Sequence, residues 1–345
     1  MRVAAGSVND FANVTWPANA NATLSLSLFF GVASFGGIPA NLLVIYVSFR
    51  SSLVTGNYKY FLANLAICDL AACFANMFQF FYHLYHLLCE VPLDITKCHV
   101  QTAFPYTFGF CMVAALPLAS INRYCVICRD LEAWFTKRKI LLLCLTAYFP
   151  LLYPIIDFLF APQAVYYTNL CTYTLFTPFN PEWIFFVLGI YVYPSLIFSN
   201  MGVYKKLSTH MSKTKKLLGT QTDINRSILK GLVIQASIPP ICCLPILIVI
   251  LTVAFSGVGL NPDALSAKVV VRFSETAVLT TMDLGFIFFN LNPMLDALVT
   301  LTVVNPYRIA TKELFLKIMK KFGYESTTVD VVEVNPKSET ANGPN

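Results

Sequence analysis

A lone arginine after a long apolar run is the first residue that could perform chemistry. Arg123 lies between Asn122 and Tyr124, more than twenty residues after the previous lysine, arginine or acidic side chain, and basic residues follow it. Its guanidinium offers five hydrogen-bond donors in a rigid plane and remains charged at physiological pH. At the edge of a membrane such a group either reaches the lipid headgroups or binds partners inside a protein. Both interpretations remain open for the isolated residue.

Asp69 is a second reactive group, because its carboxyl lies inside another apolar run. A buried carboxylate is costly unless it is protonated or paired with a cation or with amide groups. One interpretation is a hydrogen bond to a neighbouring segment, and the alternative is a bound sodium ion.

The sequence lacks the patterns that are typical of enzymes. It has no glycine-rich phosphate loop, no metal-spaced cluster of His and Cys, and no pairing of a nucleophile with a base. His83 and His86 are three residues apart, but no third ligand is near, so we interpret them as residues at the rim of a span. We therefore predict no catalytic residue, no metal site and no cofactor. A retinal protein would need a lysine within a span, and a transporter would show inverted repeats; neither feature is found.

The elements that position these residues are membrane spans. The chain has 345 residues, of which 57% are hydrophobic and 12% are charged, about half the charged share of an average soluble domain. A bilayer span needs about 20 apolar residues. Seven segments meet this requirement, which predicts an all-α, seven-transmembrane helix bundle over residues 24–304, with spans near 24–48, 60–86, 100–125, 140–162, 183–204, 231–256 and 276–304.

The basic residues indicate the orientation of the bundle. Twenty Lys and Arg residues fall in the connections on one side of the predicted spans and four on the other, and the side rich in positive charge is cytoplasmic. The N-terminus, residues 1–23, is then extracellular. It contains the sequons of Asn13 and Asn21, which we predict to be glycosylated, whereas the sequon at Asn225 would be cytoplasmic and unmodified.

Three of the eleven cysteines fall on the outer side, where oxidising conditions permit a disulfide. Cys98 at the mouth of the third span and Cys171 in the following outer loop are the favoured pair. Cys89 is left over or competes with them.

Two further segments lie on the inner side. Residues 205–230 form a basic third inner loop, which attracts anionic lipid and can also contact a partner protein. Residues 305–323 have apolar side chains at helical spacing with lysines mostly between them, which predicts an amphipathic helix on the inner leaflet. Residues 324–345 are polar, and we predict a disordered cytoplasmic tail.

Seven spans, an outer N-terminus and the tripeptide Asn-Arg-Tyr at the end of the third span resemble a rhodopsin-like G-protein-coupled receptor. Asn41 in "GIPANLLVI" and Asp69 in "NLAICDL" stand where that family has its polar residues, and Cys98 precedes Arg123 by the family's spacing of twenty-five residues. Pro194 matches the proline of the fifth span. The "NPMLD" segment that begins at Asn292 resembles Asn-Pro-x-x-Tyr, with an aspartate in place of the tyrosine.

The sixth span departs from most rhodopsin-like receptors. It has no aromatic residue followed at the usual spacing by proline, and it reads Leu-x-x-Gln-x-x-x-Pro followed by a second proline. This pattern, with "NPYR" at 305–308, resembles the nematode serpentine chemoreceptors of the Str superfamily. That resemblance implies a plasma-membrane chemosensory receptor, expected in the ciliary membrane of sensory neurons. The alternative is a receptor for a neuropeptide or a small transmitter.

The resemblance implies roles for the polar residues. Asn122, Arg123 and Tyr124 would couple to a heterotrimeric G protein, with Arg123 locked at rest and released to the Gα C-terminus on activation. Asn122 replaces the family's acidic residue, so basal activity would be higher unless Asp130 substitutes for it. The expected activation network comprises Asn41, Asp69, Asn292, Pro293 and Asp296.

An extracellular ligand would bind in the outer half of the bundle. Glu275 and Asp283 lie two turns apart on one face of the seventh span and would recognise a cationic or hydrogen-bonding ligand, although pairing with rim cations is the plainer interpretation. Aromatic residues of the third and fifth spans complete this candidate pocket, although such residues more often pack than bind. Its predicted members are Pro105, Tyr106, Tyr191, Glu275 and Asp283.

Overall fold

The computed structural model describes residues 20–89, 93–152, 167–168, 194–195, 197–206, 209, 227–235, 237, 241 and 290–322. Four helices cover the first half of the chain: α1 (Ala20–Arg50), α2 (Tyr58–Leu88), α3 (Ile95–Arg129) and α4 (Lys137–Thr146). Further helical residues lie at 197–206 (α5), 227–235 (α6) and 290–303 (α7). The last described helix is α8 (Asn305–Lys321).

The first three helices extend beyond the predicted spans. Within the described residues, three stretches are long and apolar enough to cross a membrane: Gly31–Arg50, Tyr58–Tyr82 and Thr107–Arg129. The helix α1 begins four residues before its predicted span and includes the backbone of Asn21. Helices longer than about 20 residues are accommodated in a bilayer by tilt or by projection beyond the lipid.

The fourth span is not one regular α-helix. Helix α4 ends at Thr146, and a 3₁₀ turn follows at Phe149–Leu151. Pro150 explains this change, because proline has no N–H to donate and disfavours the helical conformation of the residue before it.

A two-stranded antiparallel ribbon lies at the end of the bundle opposite Arg123. Its strands are β1 (Leu93–Asp94), directly before α3, and β2 (Tyr167–Thr168), with Leu93 paired to Thr168 and Asp94 to Tyr167. The ribbon therefore joins the outer end of α3 to the chain between α4 and α5.

The buried core lies between α1, α2 and α3, and the start of α8 closes it on the inner side. Phe61, Leu116 and Tyr307 are among its largest fully buried side chains. Gly37 permits the close approach of α1 to α2, since a Cβ atom built there would lie 2.5 Å from the sulfur of Cys73. Small residues of this kind allow membrane helices to pack tightly.

Helix α8 begins where the sequence predicts it and ends two residues before the predicted bound. Val304 has an extended conformation between α7 and α8, and Pro306 stands in the first turn, where its missing N–H is tolerated. The apolar side chains Phe315, Ile318, Met319 and Phe322 are all exposed. This exposed apolar face is the one predicted to lie on the inner leaflet.

Candidate functional site

Arg123 turns into the bundle from the inner end of α3. Its guanidinium carbon lies 3.9 Å from the centre of the Tyr58 ring at the start of α2, well inside the distance of about 6 Å at which a cation and an aromatic face attract each other. Tyr58 is only 4% exposed. The interpretation of Arg123 as an arginine that reaches the lipid headgroups is therefore wrong for this structure.

Tyr307 at the start of α8 lies near Arg123 and Tyr58. Its hydroxyl oxygen lies 2.7 Å from Ser48 Oγ, which in turn lies 2.7 Å from the carbonyl oxygen of Val44. Ser48 has one hydroxyl proton and donates it to Val44, so Tyr307 is the donor to Ser48. Burial raises the pKa of Tyr307, which keeps this donor protonated. Tyr307 also lies within electrostatic range of Tyr58 and Arg123.

The residue before Arg123 is neutral, and two acidic residues follow the end of α3. Asn122 is buried, and its amide nitrogen has no hydrogen-bond partner in the structure. Asp130 is exposed at a left-handed turn with φ of 51° that ends α3, and the acid whose charge acts on Arg123 is Glu132. Glu132 is therefore a second acidic residue near Arg123, and a substitution of the missing acid by Asp130 stays a prediction.

Tyr124 faces α5 rather than α2. A Cβ atom built on Gly202 would lie 2.6 Å from the Tyr124 ring, so the ring packs directly against the α5 backbone. Arg129 lies over the Tyr124 ring, with its guanidinium carbon 6.0 Å from the ring centre. Any side chain at residue 202 would clash with the Tyr124 ring, so this ring or the α5 backbone would have to shift.

The predicted activation network is buried in the middle of the bundle. Asn41 on α1 donates its amide to the carbonyl oxygens of Gly37 and Pro293, at 3.0 Å each. The bond to Pro293 links α1 to α7 directly. The accepting oxygen belongs to Pro293 itself, so this side-chain amide ties α1 to α7 at the Asn-Pro segment.

Asp69 and Asp296 are both fully enclosed carboxyl groups. Asp69 belongs to α2 and Asp296 to α7. Both carboxyl oxygens of Asp296, one of Asp69 and both polar side-chain atoms of Asn292 have no hydrogen-bond partner in the structure. A buried carboxyl group is costly unless it is neutralised or hydrogen-bonded, so these two groups are the centre of the predicted network.

Gln235 was not predicted as a site residue, although its motif was noted. It is completely buried on α6, and its amide nitrogen lies 3.1 Å from the carbonyl oxygen of Asp296 and 2.8 Å from Thr300 Oγ1. Thr300 bonds the same carbonyl at 3.0 Å. These bonds link α6 to α7 at the level of the network. A glutamine within an apolar span is the sequence signal that would have identified Gln235 as a site residue.

Several predicted residues lie outside the part of the chain that can be described. The side chains of Cys98, Pro105, Tyr106 and Asn21 belong to this group, although their backbones lie in α3 and α1. Cys89 is described, and it is an exposed free thiol. Also outside the described residues are Asn13, Cys171, Tyr191, Glu275 and Asp283.

Comparison with known proteins identifies the architecture. Residues 40–295 match the family described as 7 transmembrane receptor (rhodopsin family). The fold is similar to that of the crystal structure of squid rhodopsin, with a TM-score of 0.59 and 16% sequence identity over 89% of each chain. No curated protein matches the sequence. The family match covers well over half of the chain and includes Asn41, Asp69, Arg123 and Pro293, so this protein belongs to the rhodopsin family of seven-transmembrane receptors.

Proposed function

We propose that this receptor is chemosensory and that it couples an extracellular ligand to a heterotrimeric G protein through Arg123. Membership of the family makes the chain a multi-pass membrane receptor and not an enzyme, and it implies an extracellular ligand and a G protein as partners. The proposal adds the residues that transmit the signal and the class of ligand.

The inward position of Arg123 is the observation that carries the proposal. The side chain is held over Tyr58 at the inner end of α3, and the basic residues of the second inner loop follow it. A helix C-terminus presents unpaired carbonyl oxygens and a carboxylate, which a guanidinium binds by charge-assisted hydrogen bonds. The C-terminal helix of a Gα subunit is a partner of this kind.

The chemosensory class rests on the sixth span. Leu232, Gln235 and Pro239 form the pattern that resembles nematode chemoreceptors of the Str superfamily. In the structure, the side-chain amide of Gln235 joins α6 to α7. This role for the glutamine of the pattern supports the proposal. A ciliary location in sensory neurons is part of this proposal.

The outer half of the receptor would hold the ligand. The β1–β2 ribbon supports a Cys98–Cys171 disulfide, because Cys98 follows Asp94 by one helical turn and Cys171 follows Thr168 by three residues, a reach of about 10 Å. The proposed pocket lies two turns further along α3. We propose that it comprises Pro105, Tyr106, Tyr191, Glu275 and Asp283.

A ligand screen tests the ligand class. The full chain is expressed with a promiscuous Gα subunit, and calcium release is measured for volatile compounds, soluble compounds and peptides. We expect responses to a small volatile or soluble compound. A response to peptides alone would replace the chemosensory proposal with that of a neuropeptide receptor.

The Arg123→Ala variant tests the coupling residue in the same assay. We expect it to abolish the ligand-dependent calcium signal while ligand binding and surface expression persist, because Arg123 lies far from the outer pocket. A variant that signals at the amplitude of the unchanged receptor would contradict the role of Arg123. The Lys139→Ala variant is a matched control, since it removes a cation that stacks on Trp134 instead, 4.4 Å from the ring centre.

A further inference from the structure

The ring of Tyr58 lies against the guanidinium of Arg123, with 3.9 Å between the guanidinium carbon and the ring centre. We propose that Tyr58 is the positioning residue for Arg123: its ring holds the guanidinium inside the bundle, and a G protein must draw Arg123 off this ring in order to bind it. This inference rests on the proposed coupling to a G protein and names the residue that regulates that site.

The neutral residue before Arg123 gives weight to an aromatic contact. Asn122 is neutral and buried, so it does not offer the ion pair that an acidic residue in its place would form. The face of an aromatic ring carries a partial negative charge and attracts a guanidinium most strongly where water is excluded. Both conditions hold here, since Tyr58 is buried and the guanidinium carbon lies 3.9 Å from its ring centre.

The ring of Tyr58, and not its hydroxyl, performs this role. The hydroxyl oxygen is buried and has no hydrogen-bond partner in the structure, so it contributes no directed bond to the arrangement. An aromatic ring without the hydroxyl should therefore hold Arg123 equally well. An aliphatic side chain of similar volume fills the space but offers no negative face.

The start of α2 is fixed, so the ring is a stable support. Asn57 donates its amide to the carbonyl oxygen of Phe135 at 3.4 Å, and the Phe135 ring packs edge-on against Phe61 at 6.2 Å. Below the pair, Tyr307 is held by Ser48. Residues of α2, the second inner loop and α8 fix the surroundings of the Tyr58 ring. We therefore expect the Arg123 side chain, and not the ring, to move when a G protein binds.

Basal signalling measures this positioning. We expect Tyr58→Leu to raise ligand-independent signalling about fivefold to tenfold at equal surface expression, because a less firmly held guanidinium is more often free for the G protein. Tyr58→Phe should signal at the level of the unchanged receptor. The inference would be overturned if Tyr58→Leu left basal signalling unchanged. It would also be overturned if Tyr58→Phe raised basal signalling as much as Tyr58→Leu does.

Tyr60 provides a matched control on the same helix. Its ring contacts Lys59, with the ammonium 5.4 Å from the ring centre, and Phe49, with the ring centres 6.2 Å apart. Tyr60→Leu therefore removes an equivalent ring and a cation contact without touching Arg123. It should leave basal signalling unchanged, and an equal rise in this variant would show that the loss of any aromatic residue loosens the receptor.

Thermal unfolding tests the contact without a G protein. The unfolding midpoints of the purified receptor, of Tyr58→Leu, of Arg123→Ala and of the double variant form a cycle that measures their interaction. We expect the double variant to lose less than the sum of the two single losses. Additive losses would overturn the role of Tyr58 whatever the signalling assay shows. A non-additive cycle in a receptor that no Gα subunit couples to would instead overturn the proposed function and reduce the pair to a structural contact.

Discussion

Neighbouring residues of the Asn-Arg-Tyr motif contact different helices. Arg123 lies over Tyr58 at the start of α2, whereas Tyr124 packs against Gly202 of α5. Successive residues of an α-helix point about 100° apart, so a single turn of α3 reaches both neighbours. At the residue scale, the motif therefore joins two helices, in addition to the contact with a G protein that we propose for it.

Restoring an acid beside the arginine should strengthen its resting position. We expect Asn122→Asp to lower basal signalling about fivefold, because a partly buried ion pair contributes about 1 kcal/mol to the state in which it forms. The measurement is ligand-independent calcium release at equal surface expression.

Asp130→Asn is the control for this substitution. Asp130 is exposed with a φ of 51°, a conformation that asparagine tolerates, so the change removes a charge and keeps the turn. Its basal signalling should not change. A rise in Asp130→Asn would show that Asp130 helps to hold the arginine, and no fall in Asn122→Asp would contradict the expected ion pair.

At the scale of elements, α7 is tied to its neighbours by side-chain amides. Asn41 joins it to α1 through the carbonyl of Pro293, and Gln235 joins it to α6 through Asp296 and Thr300. Between these ties lie the carboxyl groups of Asp69 and Asp296. Apolar packing alone gives membrane helices little drive to associate, since lipid is equally apolar, so such hydrogen bonds specify which helices meet.

Gln235→Leu should loosen α6 from α7. The substitution removes two bonds of 3.1 and 2.8 Å, and hydrogen bonds between membrane helices contribute about 0.6 kcal/mol each, with larger values near 1.7. We expect a loss of about 1–2 kcal/mol in stability, measured as a lower unfolding midpoint of the purified receptor. Ser237→Ala is the control, because the exposed Ser237 donates its hydroxyl to the carbonyl of Val233 on its own helix. Equal midpoints for the two variants would contradict the role of Gln235.

The outer ribbon leads to a second prediction about elements. We expect a Cys98–Cys171 disulfide that contributes about 4 kcal/mol in the chain-entropy description, and less in a membrane where the unfolded chain is already restricted. Mass spectrometry of a non-reduced digest should find this pair linked and Cys89 alkylated as a free thiol. A linkage of Cys89 to either partner would contradict the prediction.

At the scale of the whole molecule, charge and apolar surface agree on one orientation. The exposed face of α8, which includes Phe322 at 75% exposure, lies beside exposed lysines such as Lys317 and Lys321. Apolar side chains next to lysines suit the boundary between acyl chains and anionic headgroups. We therefore expect the inner leaflet to border the same end of the bundle that carries Arg123.

Glycosylation tests this orientation. We expect Asn13 and Asn21 to carry glycans, because they precede the first span on the side with few basic residues. Glycosidase treatment should increase gel mobility, and Asn13→Gln with Asn21→Gln should remove the effect. A glycan on Asn225 would instead place the third inner loop outside and invert the receptor.

The sequence by itself determined the seven-transmembrane fold and the helix after the seventh span, because apolar length and helical spacing are local properties of the chain. The orientation that the basic loops indicate stays a prediction. The sequence also identified Arg123 and Asp69 as unusual, since a charge in an apolar run is visible without a fold. The tertiary structure decided their partners. Tyr58 lies sixty-five residues before Arg123, and Ser48 and Tyr307 are 259 residues apart, so only the packing of α2, α3 and α8 brings these side chains together. Which residue faces which neighbour depends on helix rotation and approach, and no local pattern encodes these.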